Sequence, residues 1–333
     1  MAPVPISLLD RSRTRVGEQP EVSLRASVAR ARAAEALGYR RFWVAEHHGV
    51  PGIASGAPTV LMAGVAAATS TIRVGSGGVM LPNHQPLVVA EQARTLDALF
   101  PGRIDLGIGR SLGFIKPVRE SLRVTEYTPE QFEGDLTEVL AHLTGTAPVP
   151  AVPEVTGQVP VHLLATGAGL AVAARHGLPV VLGGPALHGD LTALEAYRQD
   201  YRPSEQWPHP RVTISLDVMV ADTAERAREL LLPEAVAMAE SRTTGVFGPL
   251  RQVRTDDLDG FSDKVRSAVD RQLQHAMYGT ADQVREQLAA LVQRTGAAEV
   301  LASTSTYHRE ALTAADAALA SLALPGRPVT GAP

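Results

Sequence analysis

Apolar positions along the chain fall into two alternating rhythms. Short runs of aliphatic and β-branched residues at 5–10, 40–48, 71–81, 102–109, 160–166, 179–184, 212–221 and 299–306 read as buried strands. Between them lie Ala-rich stretches whose apolar residues recur three or four apart. In EVSLRASVARARAAEALG, for example, Leu24, Val28, Ala31, Ala34, Glu35 and Leu37 follow that spacing up to Gly38, which is placed to cap a helix. Eight strands, each followed by a helix, predict an α/β chain of the (β/α)8 barrel type, one domain over residues 1–324 with a frayed tail at 325–333. Two stretches break the rhythm. Residues 144–160 hold four prolines and predict an extended surface insertion before strand 5; residues 241–278, between strands 7 and 8, are polar and glycine-containing and predict a lid over the barrel mouth.

Composition narrows the function. The 333 residues are 45% hydrophobic with a net charge of −4, both signs being scattered, so no basic stripe marks a nucleic acid or an anionic membrane as partner. A small organic molecule is the expected partner. The chain has no cysteine, which removes disulfides, thiolate metal sites and a cysteine nucleophile and fits a cytoplasmic location. No signal-like N-terminus or long apolar span is present, so a soluble protein is expected.

In a β/α barrel, chemistry gathers where strands end. The second strand ends in Glu46-His47-His48. Side chains alternate across a strand, so the two imidazoles should point to opposite faces; with neither HxH nor HExxH in the chain, no metal site is expected. One histidine beside a buried carboxylate suits general acid–base work, while backbone-bonded rim histidines would explain the same residues. The third strand runs into GSGGVMLPNHQP, where Gly75, Gly77 and Gly78 admit either a close ligand or a simple bulge. The fourth ends in GIGRSLG. It matches a hydrolase nucleophile elbow, but Pro117 stands where the next helix should run; Arg110 there suits a phosphate or carboxylate. After the fifth, Thr166, Gly167, Ala168 and Gly169 open a helix and could cradle a phosphate or merely start that helix. The dinucleotide pattern fails, because Val172 fills the third glycine position.

Taken in order, WVAEHH, VGSGGVMLPNHQP, GRIDLGIGR, ATGAGLAVAARHGLP and YGTADQVREQLAALVQRTGAAEV make the chain resemble the bacterial luciferase-like flavin monooxygenases from about residue 5 to 322. The resemblance implies a (β/α)8 barrel that receives reduced FMN from a separate flavin reductase, reacts it with O2 to a flavin hydroperoxide, and oxygenates a mid-sized organic substrate. An aromatic polyketide of antibiotic biosynthesis is one such substrate, and the family resemblance also implies a homodimer. Some relatives instead use a deazaflavin for hydride transfer, and a non-catalytic flavoprotein subunit is a further alternative. Residue by residue, the resemblance makes His47 the catalytic histidine and Glu46 the acidic residue near the flavin. Gly77 and Gly78 match the pair joined by a cis peptide behind the ring. Arg110 matches the phosphate arginine, with Leu112 beside it, and Thr166, Gly167 and Gly169 match the phosphate loop. Departures are Gly169, where luciferases carry a second hydroxyl, and Gly109, where they carry a reactive cysteine. Arg119 or Arg123 is the expected second phosphate arginine, His48 is expected to be structural, and His84, outside the family pattern, is expected to face substrate.

Overall fold

The computed structural model describes residues 3–113, 115–154 and 157–324. Its centre is a closed parallel barrel of eight strands: β1 (Ile6–Asp10), β2 (Arg41–Val44), β3 (Arg73–Ser76) with its short continuation β4 (Val79–Met80), β5 (Ile104–Gly109), β6 (Val161–Leu164), β7 (Val180–Gly183), β8 (Val212–Leu216) and, after the outlying β9 (Val218–Val220) and β10 (Met277–Gly279), β11 (Glu299–Ala302). β1 lies between β2 and β11, and the ring closes where Val74 on β3 pairs with Ile104 on β5. The strands read as continuous apolar runs because both of their faces are covered: every residue of β1, β2 and β5 is buried.

Helices α1 (Pro20–Ala36), α2 (Pro58–Ala67), α3 (Pro86–Leu99), α4 (Lys116–Ser121), α5 (Pro129–Thr144), α6 (Ala168–Arg175), α7 (Thr192–Gln199), α8 (Ala224–Thr244), α9 (Asp263–Gln274), α10 (Ala281–Thr295) and α11 (Arg309–Ala320) complete the fold. Proline opens several of them, where its missing N–H has no helical partner to lose. Thr128 with Gln131 and Thr280 with Gln283 form capping boxes on α5 and α10. Among the described residues no helix is long and apolar enough to cross a membrane.

Five local expectations are corrected. The third strand is broken between β3 and β4, where the Gly77–Gly78 peptide is cis. The seventh strand is broken at Asp217, and its continuation β9 (Val218–Val220) leaves the barrel to pair with β10 (Met277–Gly279). Much of 241–278 is helix rather than open lid: α8 runs to Thr244, and α9 packs on α8 through Leu231, Ala235, Ala268, Val269 and Leu273. Pro117 does not block a helix, because it falls in the first turn of α4. Glu35, counted in an apolar stripe, instead accepts the backbone N–H groups of Ser70, Thr71 and Ile72 at 2.8, 2.6 and 3.0 Å and so fixes the entry to β3. The expected tail 325–333 lies outside the described residues.

The end of the barrel opposite the strand C-termini is closed by charge. Arg41 on β2 donates to Asp105 on β5 and, at 2.9 Å, to Glu299 on β11; Glu299 also accepts from Ser7 on β1 at 2.6 Å. Asp105 takes further bonds from Arg73 (2.7 Å) and the Trp43 indole (3.2 Å). Burial opposes its charge, but Arg41 and Arg73 outweigh burial and hold the carboxyl below its usual range. Replacing Arg41 by Met leaves two buried carboxylates short of a cation. We expect a loss of about 3–5 kcal/mol in urea denaturation, as is typical for breaking a buried ion pair; a loss below about 1 kcal/mol would show that the clamp is dispensable.

Beside this network His162 packs edge-on between Trp43 and Trp207, with ring centroids 5.2 and 5.3 Å away. Burial drives its pKa down to about 3, with Asp105 opposing and Arg41 assisting, so it is neutral in the folded protein. The unfolded chain protonates this imidazole below about pH 6.5, so stability falls as pH drops from there toward 3. At pH 5 this group alone removes about 2 kcal/mol relative to neutral pH. In His162→Phe the stability difference between pH 7.5 and pH 5 should shrink by about that amount; an unaltered difference would refute the assignment.

Candidate active site

The stretch after β2 leaves the barrel with Glu46 fully enclosed. Its Oε1 accepts from His48 Nε2 at 2.6 Å, His84 Nε2 at 2.9 Å and Asn83 Nδ2 at 3.2 Å, and its Oε2 from the Met80 amide at 2.9 Å. Burial raises the cost of ionisation, but the bonds from His48 and His84 dominate and hold the carboxyl down at about 2. His47 and His48 follow the end of β2 at Val44 in irregular backbone, so strand parity does not govern them and both line one cavity. The carboxylate's hydrogen-bond partner is His48, together with His84, rather than His47. His48, expected to be structural, lines the same cavity as His47, and His84, expected to face substrate, is tied to Glu46.

His47 is held by its backbone N–H to the Ser55 carbonyl at 2.9 Å, and its buried Nδ1 has no partner among the described residues. Burial first, then Arg11 and Arg13, push its pKa down to about 4 against the pull of Glu234. Those arginines belong to a charged cluster that sequence patterning did not reveal. Arg13 Nε donates to Glu234 Oε2 at 2.7 Å, and Arg11 donates to Asp217 at 3.1 Å. Arg11 and Arg13 follow β1, Asp217 breaks the seventh strand, and Glu234 stands in the middle of α8 after Pro233. The one sequence signal was a pair of ionisable residues next to predicted strand ends.

Two cavities meet at Ser111, just past β5. One, of about 260 Å³, is lined by Glu46, His47, His48, Met80, Asn83, Leu112 and Gly113. The other, of about 320 Å³, brings together Arg110, Phe132, Leu164, Thr166 and Gly169. Arg110 is exposed at its edge and makes no ion pair or hydrogen bond with any described residue, unlike most arginines of this chain. Thus Arg110, Thr166 and Gly169 share one cavity and Glu46, His47 and Leu112 its neighbour. Gly167, with φ +52°, turns the chain into α6 without lining either. The Gly169 and Leu170 amides donate to the Thr166 and Gly167 carbonyls at 3.1 Å each, so these two amides, expected to be open to a phosphate, are taken up within the turn. Arg119 instead donates to the Gly113 carbonyl at 3.1 Å, and neither it nor Arg123 lines the Arg110 cavity.

The glycines of the third strand are required by protein packing. A Cβ on Gly75 would stand 2.4 Å from the Trp43 indole nitrogen, and one on Gly78 2.9 Å from the Gly107 carbonyl oxygen. A further cavity of about 240 Å³ lies between α1 and α11, where Arg30 bridges Asp10 (2.9 Å) and Asp316 (2.7 Å).

A closed parallel barrel with a carboxylate–histidine group and an unpaired arginine at its strand ends is the arrangement of a barrel enzyme acting on a small molecule. Residues 4–299 match the luciferase-like monooxygenase family, and the chain belongs to that family. It is 34% identical over 317 residues to a luciferase-like monooxygenase of Escherichia coli K12, covering 92% of this chain and 93% of that one. Among solved structures it is similar to apo-MsnO8, with TM-score 0.82 and 31% identity over 97% of this chain and all of the other. It shares its fold with the oxygenating constituent of 3,6-diketocamphane monooxygenase from Pseudomonas putida, solved in complex with FMN (TM-score 0.72, 17% identity, 98% of each chain).

Proposed function

We propose that this luciferase-like monooxygenase is the oxygenating component of a two-component system: it takes reduced FMN from a separate flavin reductase and, with O2, oxygenates a mid-sized, partly apolar organic substrate. The observation that carries this reading is the pair of adjoining cavities, one ending in unpaired Arg110, the other walled by Glu46, His47 and Leu112. A flavin mononucleotide has that polarity. Its phosphate dianion suits a guanidinium and a hydroxyl, and its flat ring suits Leu112 and Met80 beside the main chain of Gly77 and Gly78. Bound reduced flavin supplies the electrons that activate oxygen.

The chain's own residues supply position, proton and dryness. Arg110 and Thr166 hold the anionic end, with Gly167 and Gly169 keeping the start of α6 free of bulk. With Nδ1 enclosed, Nε2 of His47 is the atom that exchanges a proton with substrate. Phe247 and Leu250, packed on Val50 and Ile53, cover the neighbouring rim and limit entry of water. Val60 on α2 and Val88 and Leu99 on α3 are exposed apolar side chains and support pairing into a homodimer. The absence of cysteine supports a cytoplasmic enzyme, and a polyketide of antibiotic biosynthesis is the substrate we favour.

Anaerobic titration with reduced FMN and with reduced riboflavin tests the reading. The wild type should prefer FMN, and Arg110→Ala should weaken FMN by roughly 10- to 150-fold, the worth of a charge-assisted bond, while leaving riboflavin unchanged. Equal affinity for the two flavins, or turnover supported by reduced deazaflavin and not by reduced FMN with O2, would overturn it.

A further inference from the structure

We propose that Glu46, His48 and His84 form a three-ligand site for a divalent transition-metal ion such as zinc, open on its fourth side to the cavity they line. The carboxylate and the two imidazoles present donor atoms that all lie within 4.8 Å of one another. His48 Nε2 and His84 Nε2 already stand 2.6 and 2.9 Å from Glu46 Oε1. Ligands bound at roughly 2.0–2.2 Å to one zinc ion are about 3–3.5 Å apart, so each imidazole needs to draw back from the carboxylate oxygen by less than about 1 Å, His48 more than His84.

The donor set selects the ion. Two imidazoles and one carboxylate favour zinc, cobalt or nickel over magnesium and calcium, which prefer oxygen alone. Three protein ligands with one open position describe a site that exchanges its ion and admits a further ligand, unlike a closed structural site.

The support is rigid. Glu46 and His48 are two residues apart and turn to one side. His84 follows a 3-10 turn, Leu81–Asn83, in which Leu81 and Pro82 are buried. The Met80 amide, bonded to Oε2 at 2.9 Å, orients the carboxylate from behind, as a supporting contact should. A second observation comes from Asn83: its amide nitrogen makes a long 3.2 Å bond to Oε1, while its buried Oδ1 has no partner among the described residues. The two amide atoms are interchangeable by a flip of the side chain. Turned over, Oδ1 would face Oε1, an arrangement that a cation between them makes favourable and that is repulsive otherwise. Metal-free, three donors crowd onto one carboxylate oxygen; with an ion, the imidazole lone pairs replace two of them.

His47 provides the internal control, because it adjoins both Glu46 and His48 in sequence and lines the same cavity, yet it is not one of the three clustered donors. The proposal does not depend on which flavin the cavity takes. The experiment is calorimetric titration of chelator-treated full-length protein with Zn²⁺, repeated with Co²⁺ while recording visible absorption. We expect one ion per chain in the micromolar range, a Co²⁺ spectrum of low coordination number, and at least 100-fold weaker binding in both His48→Ala and His84→Ala. His47→Ala should bind like the wild type. Circular dichroism and thermal melting of each variant guard against misfolding, and Glu46→Gln, which keeps size while removing the charge and one accepting oxygen, should lose binding as well. Equal binding in wild type, His48→Ala and His84→Ala would mean an adventitious ion only and would overturn the site. So would loss of binding in His47→Ala alone, or the absence of binding up to millimolar Zn²⁺.

Discussion

The buried guanidinium of Arg41 sets the frame on which everything else is hung. It ties β2 to β5 through Asp105 and to β11 through Glu299, three strands of one barrel gripped by one side chain. Trp43, Gly75 and Asp105 stand level across β2, β3 and β5 in the strand register. Glu46 lies five residues beyond Arg41, and Arg110 five beyond Asp105. The clamp at one end therefore fixes the relative height of the two side chains that define the cavities at the other.

The same economy explains how charge is distributed. At the closed end, Asp105 stays ionised because arginines face it; at the open end, Glu46 stays ionised because histidines and an amide do. The difference lies in what each partner can give up. An arginine keeps its proton under any ordinary condition, so the closed end is permanent. A histidine can trade its N–H for a lone pair, so the open end can be rearranged by a ligand.

Much of this was legible in the chain. Strand positions followed from apolar runs buried on both faces, and EHH at a strand end pointed to the candidate site. Hidden were features that depend on residues far apart in sequence. His84 meets Glu46 because a 3-10 turn folds back over the end of β2, and no local period encodes that return. Strand parity was expected to separate His47 from His48, but the strand ends at Val44 and both imidazoles line one cavity. Gly75 and Gly78 looked like room left for a ligand, whereas Trp43 and Gly107 occupy that room. Glu35 sits at a helical spacing that suits an apolar stripe, and only the neighbouring loop shows it serving three amides. Residues 241–278 read as loop because α9 is strongly polar on one side and short.

In the excursion formed by α8, α9 and the β9–β10 ribbon, the two helices have an apolar interior of their own, while Val218, Val220 and Met277 of the ribbon pack into the core of the barrel. It meets the mouth through Glu234, Ala237 and Met238 on α8 and through Phe247 and Leu250 just beyond it. Such a module can diverge without disturbing the strands beneath it. Related enzymes with the same barrel are thereby free to change what they admit by rewriting one appendage, keeping the chemistry at the strand ends intact.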